Sequence, residues 1–579
     1  MNCFKRRRSP VDMDAQLTKE EDKDIAECSR DTEKGLKQMV RNKIRSNRTS
    51  KHRETVYRTA SVESCKTENE IMCRKAGTVD RLRGSRYTAG VDGPNPVFHL
   101  PDVVVHSDHR RPLPFQITNQ AVLLFLNISG LTALCETYSQ AAKSGIEQLT
   151  ETMNSYISAL VSEIISYDGD ILKFTEYGIL SMWSVYSFPL VTPTIESVIQ
   201  CALDVQRKYG THTTSDGVTL KLKIGIAAGE VQILIIGNAH ERRYVEIGRG
   251  IEDVIKAMNA CENGGDVVLA PSAWIHCYNH FNADHVVIHG TKFVNVTRLN
   301  PRSSLGYRTT AATRCTKNPD LSFRNLTAPS TTILDQAGSK MMVSSSKESP
   351  QEGDGRQRHT CGLQNTIVTH FNRLKLFISK PILQRIEDGQ PLEYLSEMRP
   401  VTMLFVRFVV DRDVTKYGYR LLMQRCYEVI YTKAKRTGGR ISKIFAFDEG
   451  CPVFMVTFGL PGYEHKNDSA DALDCAYEIY TELNEIVRLK QTSVAVTTGT
   501  TYCGIVGHNQ RHEYTVIGRP VSMGPRLMKF YRGKVICDDT TFCNSKLNET
   551  YFIAQEPKEI SGRQVETVRE YRPPINTND

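Results

Sequence analysis

The sequence predicts two layered α/β domains that are copies of one another, and three observations carry that reading. The chain has 579 residues, 40% of them hydrophobic and 24% charged, a balance that suits several soluble globular domains of roughly 150 residues each. Lys173, Gly229, Gly237 and Gly248 recur as Lys443, Gly499, Gly507 and Gly518, all at one offset of 270 residues, and self-similarity at a fixed spacing marks an internal repeat. Within each block, short apolar runs alternate with apolar residues at helical intervals, the pattern of helices laid on a sheet.

In chain order, residues 1–95 are polar and strongly basic. Between Lys34 and Arg58 nine Lys or Arg residues face a single acid, Glu54, so this stretch carries nearly all of the chain's net charge of +9. Its composition predicts a disordered, solvated arm that can meet acidic surfaces such as lipid, RNA or a partner. The first folded block is expected at 96–302, a polar linker, largely disordered, at 303–369, and the second block at 370–573.

Val122 to Leu126 and Met403 to Val406 read as matching buried strands. Ile146, Leu149, Met153, Ile157, Leu160, Val161 and Ile164 repeat at helical spacing, as do Leu421, Leu422, Val429 and Ile430 in the second block. Asp168-Gly169 and Gly438-Gly439 signal a turn into a strand after each helix. AVLLFLNISG pairs with PVTMLFVRFV at an offset of 280, so the first block holds ten extra residues between Asn127 and Lys173, expected in a loop. Two such halves are expected to pack as a pseudo-symmetric pair with a cleft between them.

No apolar run approaches the length of a membrane span and no apolar segment follows the basic start. The expectation is therefore a protein without a transmembrane segment. Sixteen cysteines occur without a CxxC pair, which points to thiols in a reducing, cytoplasmic setting rather than to a disulfide framework or a zinc knuckle.

RHEYTVIG (511–518), KIFAFDEGC (443–451), GIVGH (504–508), PLEYLSEMRPVT (391–402) and LKFTEYGILSMW (172–183) keep their order across both blocks. Together they resemble the soluble, bicarbonate-responsive adenylyl cyclases, a group of class III nucleotidyl cyclases with tandem catalytic domains. The resemblance implies two ferredoxin-like domains, each an α+β sandwich, that convert ATP to 3′,5′-cyclic AMP and pyrophosphate with Mg²⁺ or Mn²⁺ at one composite site.

What the resemblance implies residue by residue departs from the family in several places. The two positions that hold metal-bridging aspartates are Asn127 in FLNISGLT and Tyr177 in FTEYGIL. Glu176 is the neighbouring substitute, although on a strand adjacent side chains point to opposite faces. The turn Ile128, Ser129, Gly130, Leu131 and Thr132 matches the phosphate-binding turn, whose backbone N–H groups start a helix. It reads equally as an ordinary turn with Ser129 as N-cap. Lys443 and Thr515 match the adenine-recognising pair, and Arg526 matches the arginine that grips the developing phosphorane. Ser522 stands where the family has asparagine, and Pro525 falls inside the expected helix, where a proline loses a backbone bond.

Lys173 matches the lysine of the regulatory bicarbonate pocket, but the arginine position is Ile255, with Lys256 beside it. Arg242 and Arg243 read as surface charges. The implied partners are ATP, bicarbonate and a cyclase paralogue. Loss of both metal carboxylates predicts weak or absent cyclisation, and hence a pseudocyclase that binds nucleotide as a regulator or scaffold. An RNA-binding reading rests only on the basic arm and lacks an RRM-type aromatic motif.

Overall fold

The computed structural model describes residues 96–139, 145–288, 291–299, 369–390, 395–411, 413–447, 451–560, 563–564 and 567–574. The expectations for residues 1–95 and 303–368 lie outside them. All the described residues fall in one unit, Gly93–Asp579.

In the first half, α1 (Asp102–Val105) precedes β1 (Phe115–Ser129), α2 (Leu131–Ser139) and α3 (Gly145–Ser166). The hairpin β2 (Asp170–Thr175) and β3 (Gly178–Val185) leads to α4 (Val191–Tyr209) and β4 (Thr211–Thr213). Then come β5 (Thr219–Gly237), β6 (Arg242–Ile247), α5 (Arg249–Asn259), β7 (Val267–Leu269), α6 (Pro271–Trp274), β8 (Phe281–Ile288) and β9 (Thr291–Leu299).

The second half opens with α7 (Lys380–Glu387), β10 (Glu397–Val410), α8 (Lys416–Arg436) and the hairpin β11 (Arg440–Phe447) and β12 (Cys451–Phe458). It continues with α9 (Asp468–Glu485), β13 (Leu489–His508), β14 (Arg511–Ile517) and α10 (Arg519–Phe530). The final elements are β15 (Val535–Cys537), α11 (Asp539–Ser545), β16 (Phe552–Ala554), the short ribbon β17 (Glu559–Ile560) and β18 (Arg563–Gln564), and β19 (Arg569–Tyr571).

The sheets have the same order, β2-β3-β1-β5-β7-β9-β8 and β11-β12-β10-β13-β15-β19-β16. Register repeats too: Ile224 lies opposite Val267 in the parallel pair β5–β7 and Val494 opposite Val535 in β13–β15. The predicted strand cores therefore sit inside longer strands, β1 and β10. Asp168 and Gly438 take the left-handed conformation, with φ of 61° and 83°, which ends each long helix and turns the chain into the sheet.

Two expectations are corrected. The ten extra residues are not a bare loop, because the insertion carries α2, a nine-residue helix placed directly after β1. Leu421 is exposed, and the buried face of α8 is instead Met423, Cys426, Tyr427, Val429, Ile430 and Ala434.

The halves interlock. Leu234 and Ile236 from the end of β5 join the core under α8, while Tyr502 and Val506 from the end of β13 join the core under α3. Each long strand thus begins in its own half and ends beneath the other's long helix. Each fully buried side chain of this kind contributes roughly 1.5–3 kcal/mol, so the pairing is part of the core.

Asp538 caps α11, accepting from the Thr541 backbone N–H at 2.9 Å. Burial pushes its carboxyl up to about 6, against the pull of its Thr541 and Thr498 hydrogen bonds. The folded state therefore binds a proton that the unfolded chain has released, and stability from this group is lost as pH rises from about 4 through about 6. Between those pH values urea unfolding of the wild type is expected to show a loss, on the order of 2 kcal/mol, that Asp538→Asn removes. An equal loss in the variant contradicts the assignment.

Candidate active site

The two central hairpins carry the same irregularity. Pairing shifts between Ile171 and Lys173 on β2 and between Ile441 and Lys443 on β11, one extra residue in each strand, and such a bulge re-aims the side chain beside it. Both lysines turn into the boundary between the halves and are buried, at 3% and 8% exposure. Lys173 Nζ donates to the Ile444 carbonyl at 2.5 Å, and Lys443 Nζ donates to the Phe174 carbonyl at 2.7 Å. Each lysine therefore binds the residue that follows its own counterpart.

Each also has a carboxylate, Glu246 at 2.6 Å from Lys173 and Glu513 at 2.9 Å from Lys443. Burial raises the Glu246 carboxyl while Lys173 opposes the rise. At Glu513 burial acts in the same sense, but Lys443, Arg511 and Lys173 outweigh it and bring the carboxyl below its ordinary value. Burial lowers the Lys443 ammonium, with Glu513 opposing.

A second reciprocal pair flanks the first. Arg243 donates to the Ile441 carbonyl at 2.8 and 3.0 Å, and Arg511 donates to the Ile171 carbonyl at 3.1 Å. Glu241 pairs with Arg243 and Glu513 with Arg511, each at 3.2 Å. Positions 241 and 243 correspond to 511 and 513, so the two halves use the same sites with the charges exchanged. The reading of Arg242 and Arg243 as surface charges is thereby corrected. Arg243 is buried between the halves, and Arg242 is half-buried and donates to the His109 carbonyl at 3.2 Å.

The expected metal positions come together. Asn127 lies opposite Gly178, and the Ile128 N–H donates to the Tyr177 carbonyl at 2.6 Å. Glu176 and Tyr177 are the two turn residues of the β2–β3 hairpin, so the strand alternation expected to separate them does not apply. Glu176 is buried and lines a small cavity with Lys443 and Thr515. Burial raises its carboxyl, while Tyr177, Lys443 and Arg526 pull it down. Burial likewise pushes the Tyr177 phenol well up, with Glu176 adding to the rise.

On the second half, Thr515 accepts from Lys443 at 2.9 Å. Ser522 and Arg526 project from α10, which runs unbroken through Pro525. The helix lies hard against the sheet at Gly524, where a Cβ would meet the Phe405 ring at 2.1 Å. Ser522 is half-buried, and its hydroxyl donates to the Arg519 carbonyl at 3.1 Å.

In the turn from Ile128 to Thr132, Gly130 takes a φ of 100° and Leu131 begins α2. Ser129 does not cap that helix, since its hydroxyl donates to the Lys221 carbonyl at 2.9 Å. Ile255 is buried on α5 and Lys256 on the same helix is exposed.

The sequence reading assigned no role to Glu246, Arg511 or Glu513. Their signal was charge inside otherwise β-branched and aromatic strand text.

Two like domains exchange lysine contacts across one boundary, and comparison with known proteins supports placing the chain among the class III nucleotidyl cyclases. More particularly, it is 32% identical over 464 residues to adenylate cyclase type 10 of Homo sapiens, covering 80% of this chain and 27% of that protein. Adenylate cyclase type 10 of Oryctolagus cuniculus is 32% identical over 467 residues, with the same coverage. The chain thus spans about a quarter of the length of these relatives.

Among solved structures, a class III adenylyl cyclase-like ATP-binding protein from Pseudomonas aeruginosa aligns with a TM-score of 0.46 and 11% identity, over 77% of this chain and 90% of that one. The adenylyl cyclase CyaB from P. aeruginosa aligns with a TM-score of 0.27 and 15% identity, over 32% of this chain and 98% of that one. No family model matches the chain.

Arg243→Ala strands the Glu241 carboxylate and two carbonyl contacts at the boundary. The expected loss of stability in urea is about 3–5 kcal/mol. A loss below about 1 kcal/mol, the scale of exposed pairs, contradicts the buried role.

Proposed function

We propose that the chain is a nucleotide-binding member of the cyclase family with weak or no cyclisation, acting as a regulator or scaffold. One observation carries this reading. Where Asn127 meets the Tyr177 turn neither residue supplies a carboxylate, and the acid beside them, Glu176, is buried within the influence of Lys443 and Arg526.

Closing ATP on itself requires the ribose 3′-hydroxyl to lose its proton while charge on the polyphosphate is neutralised, work suited to paired divalent ions. Mg²⁺ sites rest on one or two carboxylates together with phosphates. The residues here do not fit such an ion. They offer an amide, a phenol whose proton is firmly held, and an acid already drawn on by two cations. Among the described residues no group of three or more His, Cys, Asp or Glu is placed to hold a metal. No step of the chemistry is therefore assigned to Mg²⁺ or Mn²⁺ in this chain.

The groups suited to a purine nucleotide remain. Lys443 and Thr515, which hydrogen-bond to each other, can exchange that bond for one to a base, and the Gly130–Thr132 end of the turn and Arg526 offer N–H groups to phosphates. Ser522 is shorter than the asparagine of the family and reaches less far toward a ribose. At the equivalent pocket of the first half, Lys173 already holds Glu246 and Ile255 brings no charge. We therefore propose that the chain carries its own carboxylate there in place of bicarbonate. A cytoplasmic location and a cyclase paralogue as partner belong to the same proposal. Among the described residues no helix is long and apolar enough to cross a membrane.

A second reading, an active cyclase with atypical ligation, draws on Glu176 Oε1, which is buried and accepts no hydrogen bond among the described residues. The full chain with ATP and Mg²⁺ or Mn²⁺ is expected to form cyclic AMP at background level. Asn127→Asp combined with Tyr177→Asp is expected to raise the rate on the order of a hundredfold, the scale of one restored electrostatic contact in an active site. Robust turnover by the wild type, abolished by Glu176→Gln, establishes the second reading instead.

A further inference from the structure

A pocket lies on the boundary between the halves, and Asn127, Glu176 and Arg526 are not among its lining residues. Its floor includes Lys173, Arg243 and Lys443, and its roof comes from α7 and the segment before it, through Phe377, Ile378 and Ile382. The walls are mainly apolar, yet five cations line it, with Glu513 as the one acid.

Three of those cations are already matched by acids, Lys173 by Glu246, Arg243 by Glu241 and Lys443 by Glu513. The other two, Arg385 and Arg440, have no carboxylate partner among the described residues. Arg440 is held in place, with its guanidinium stacked 4.1 Å from the Tyr463 ring centroid and one N–H given to the Gly439 carbonyl at 2.9 Å. Its remaining N–H groups are a preset fork for an anion. A pocket with apolar walls and a few polar groups is the usual form of a small-molecule site.

We propose that this pocket binds an amphipathic organic carboxylate. Its anionic head pairs with Arg440 and Arg385, and its apolar body lies against Phe377, Ile382 and Leu460. An inorganic anion leaves those walls unused, and a neutral apolar molecule leaves both guanidinium groups without a counter-charge. Lys173 lies in the floor, but its charge is already balanced by Glu246 and it is not the anion's partner. Because the floor contains both lysines that reach across the boundary, an occupant bears on the contact between the halves.

The test uses the full chain with octanoate, octanol and acetate, read by thermal denaturation and by calorimetric titration. Octanoate is expected to bind saturably and raise the melting temperature, while octanol and acetate do neither. Arg440→Gln and Arg385→Gln are each expected to weaken octanoate binding about tenfold or more, as loss of a charge-assisted contact does. Their unliganded melting temperatures serve as the folding control. Absence of octanoate binding overturns the proposal. So does equal binding of octanol, binding of acetate alone, or undiminished affinity in two folded variants.

Discussion

The structure depends on two buried lysines that each reach across to the other half. Lys173 and Lys443 sit at the same bulge in the same strand of each copy, and each donates to the carbonyl next to its counterpart. Burying an ammonium is costly unless a carboxylate and further acceptors surround it, and Glu246 and Glu513 meet that need from within the same half as each lysine. The apolar interlock of β5 and β13 supplies bulk stability but little direction. The lysine and arginine crossings fix the register of one half on the other, since a slip by one residue costs four buried cations their carbonyl acceptors across the boundary.

That register places the hairpin turn of the first half against Lys443, Thr515 and Arg526 of the second. The proposed nucleotide site rests on this juxtaposition. Its charge is what differs. A substrate polyphosphate brings several negative charges, and a site built around two aspartates handles them by holding cations. On the proposed reading an amide and a phenol occupy those places, and Glu176 faces the same cavity as Lys443 and Thr515. On that reading the fold is kept while the means of gathering divalent cations is lost, since fold and activity are separable.

Much of the fold was legible in the residues because repetition exposes it. The constant offset of 270 aligned both lysines and three pairs of glycines, and the left-handed turns at Asp168 and Gly438 stood in the text as turn residues. The inserted helix α2 was not legible as a helix, since an offset records only a length. Arg243 was misread because a charged residue in isolation is more often exposed than buried. Its acceptor, the Ile441 carbonyl, lies 198 residues away, where no local pattern reports it. Glu176 was misplaced for a related reason. Strand alternation was applied to residues that form the turn, and alternation ends where pairing ends.

The central claim is that nucleotide recognition here no longer runs through a divalent cation. It is tested most directly by measuring the affinity of the full chain for ATP with Mg²⁺ present and again with the metal chelated. The account predicts measurable binding of about the same strength under both conditions. Binding that appears or tightens strongly only with Mg²⁺ would contradict it.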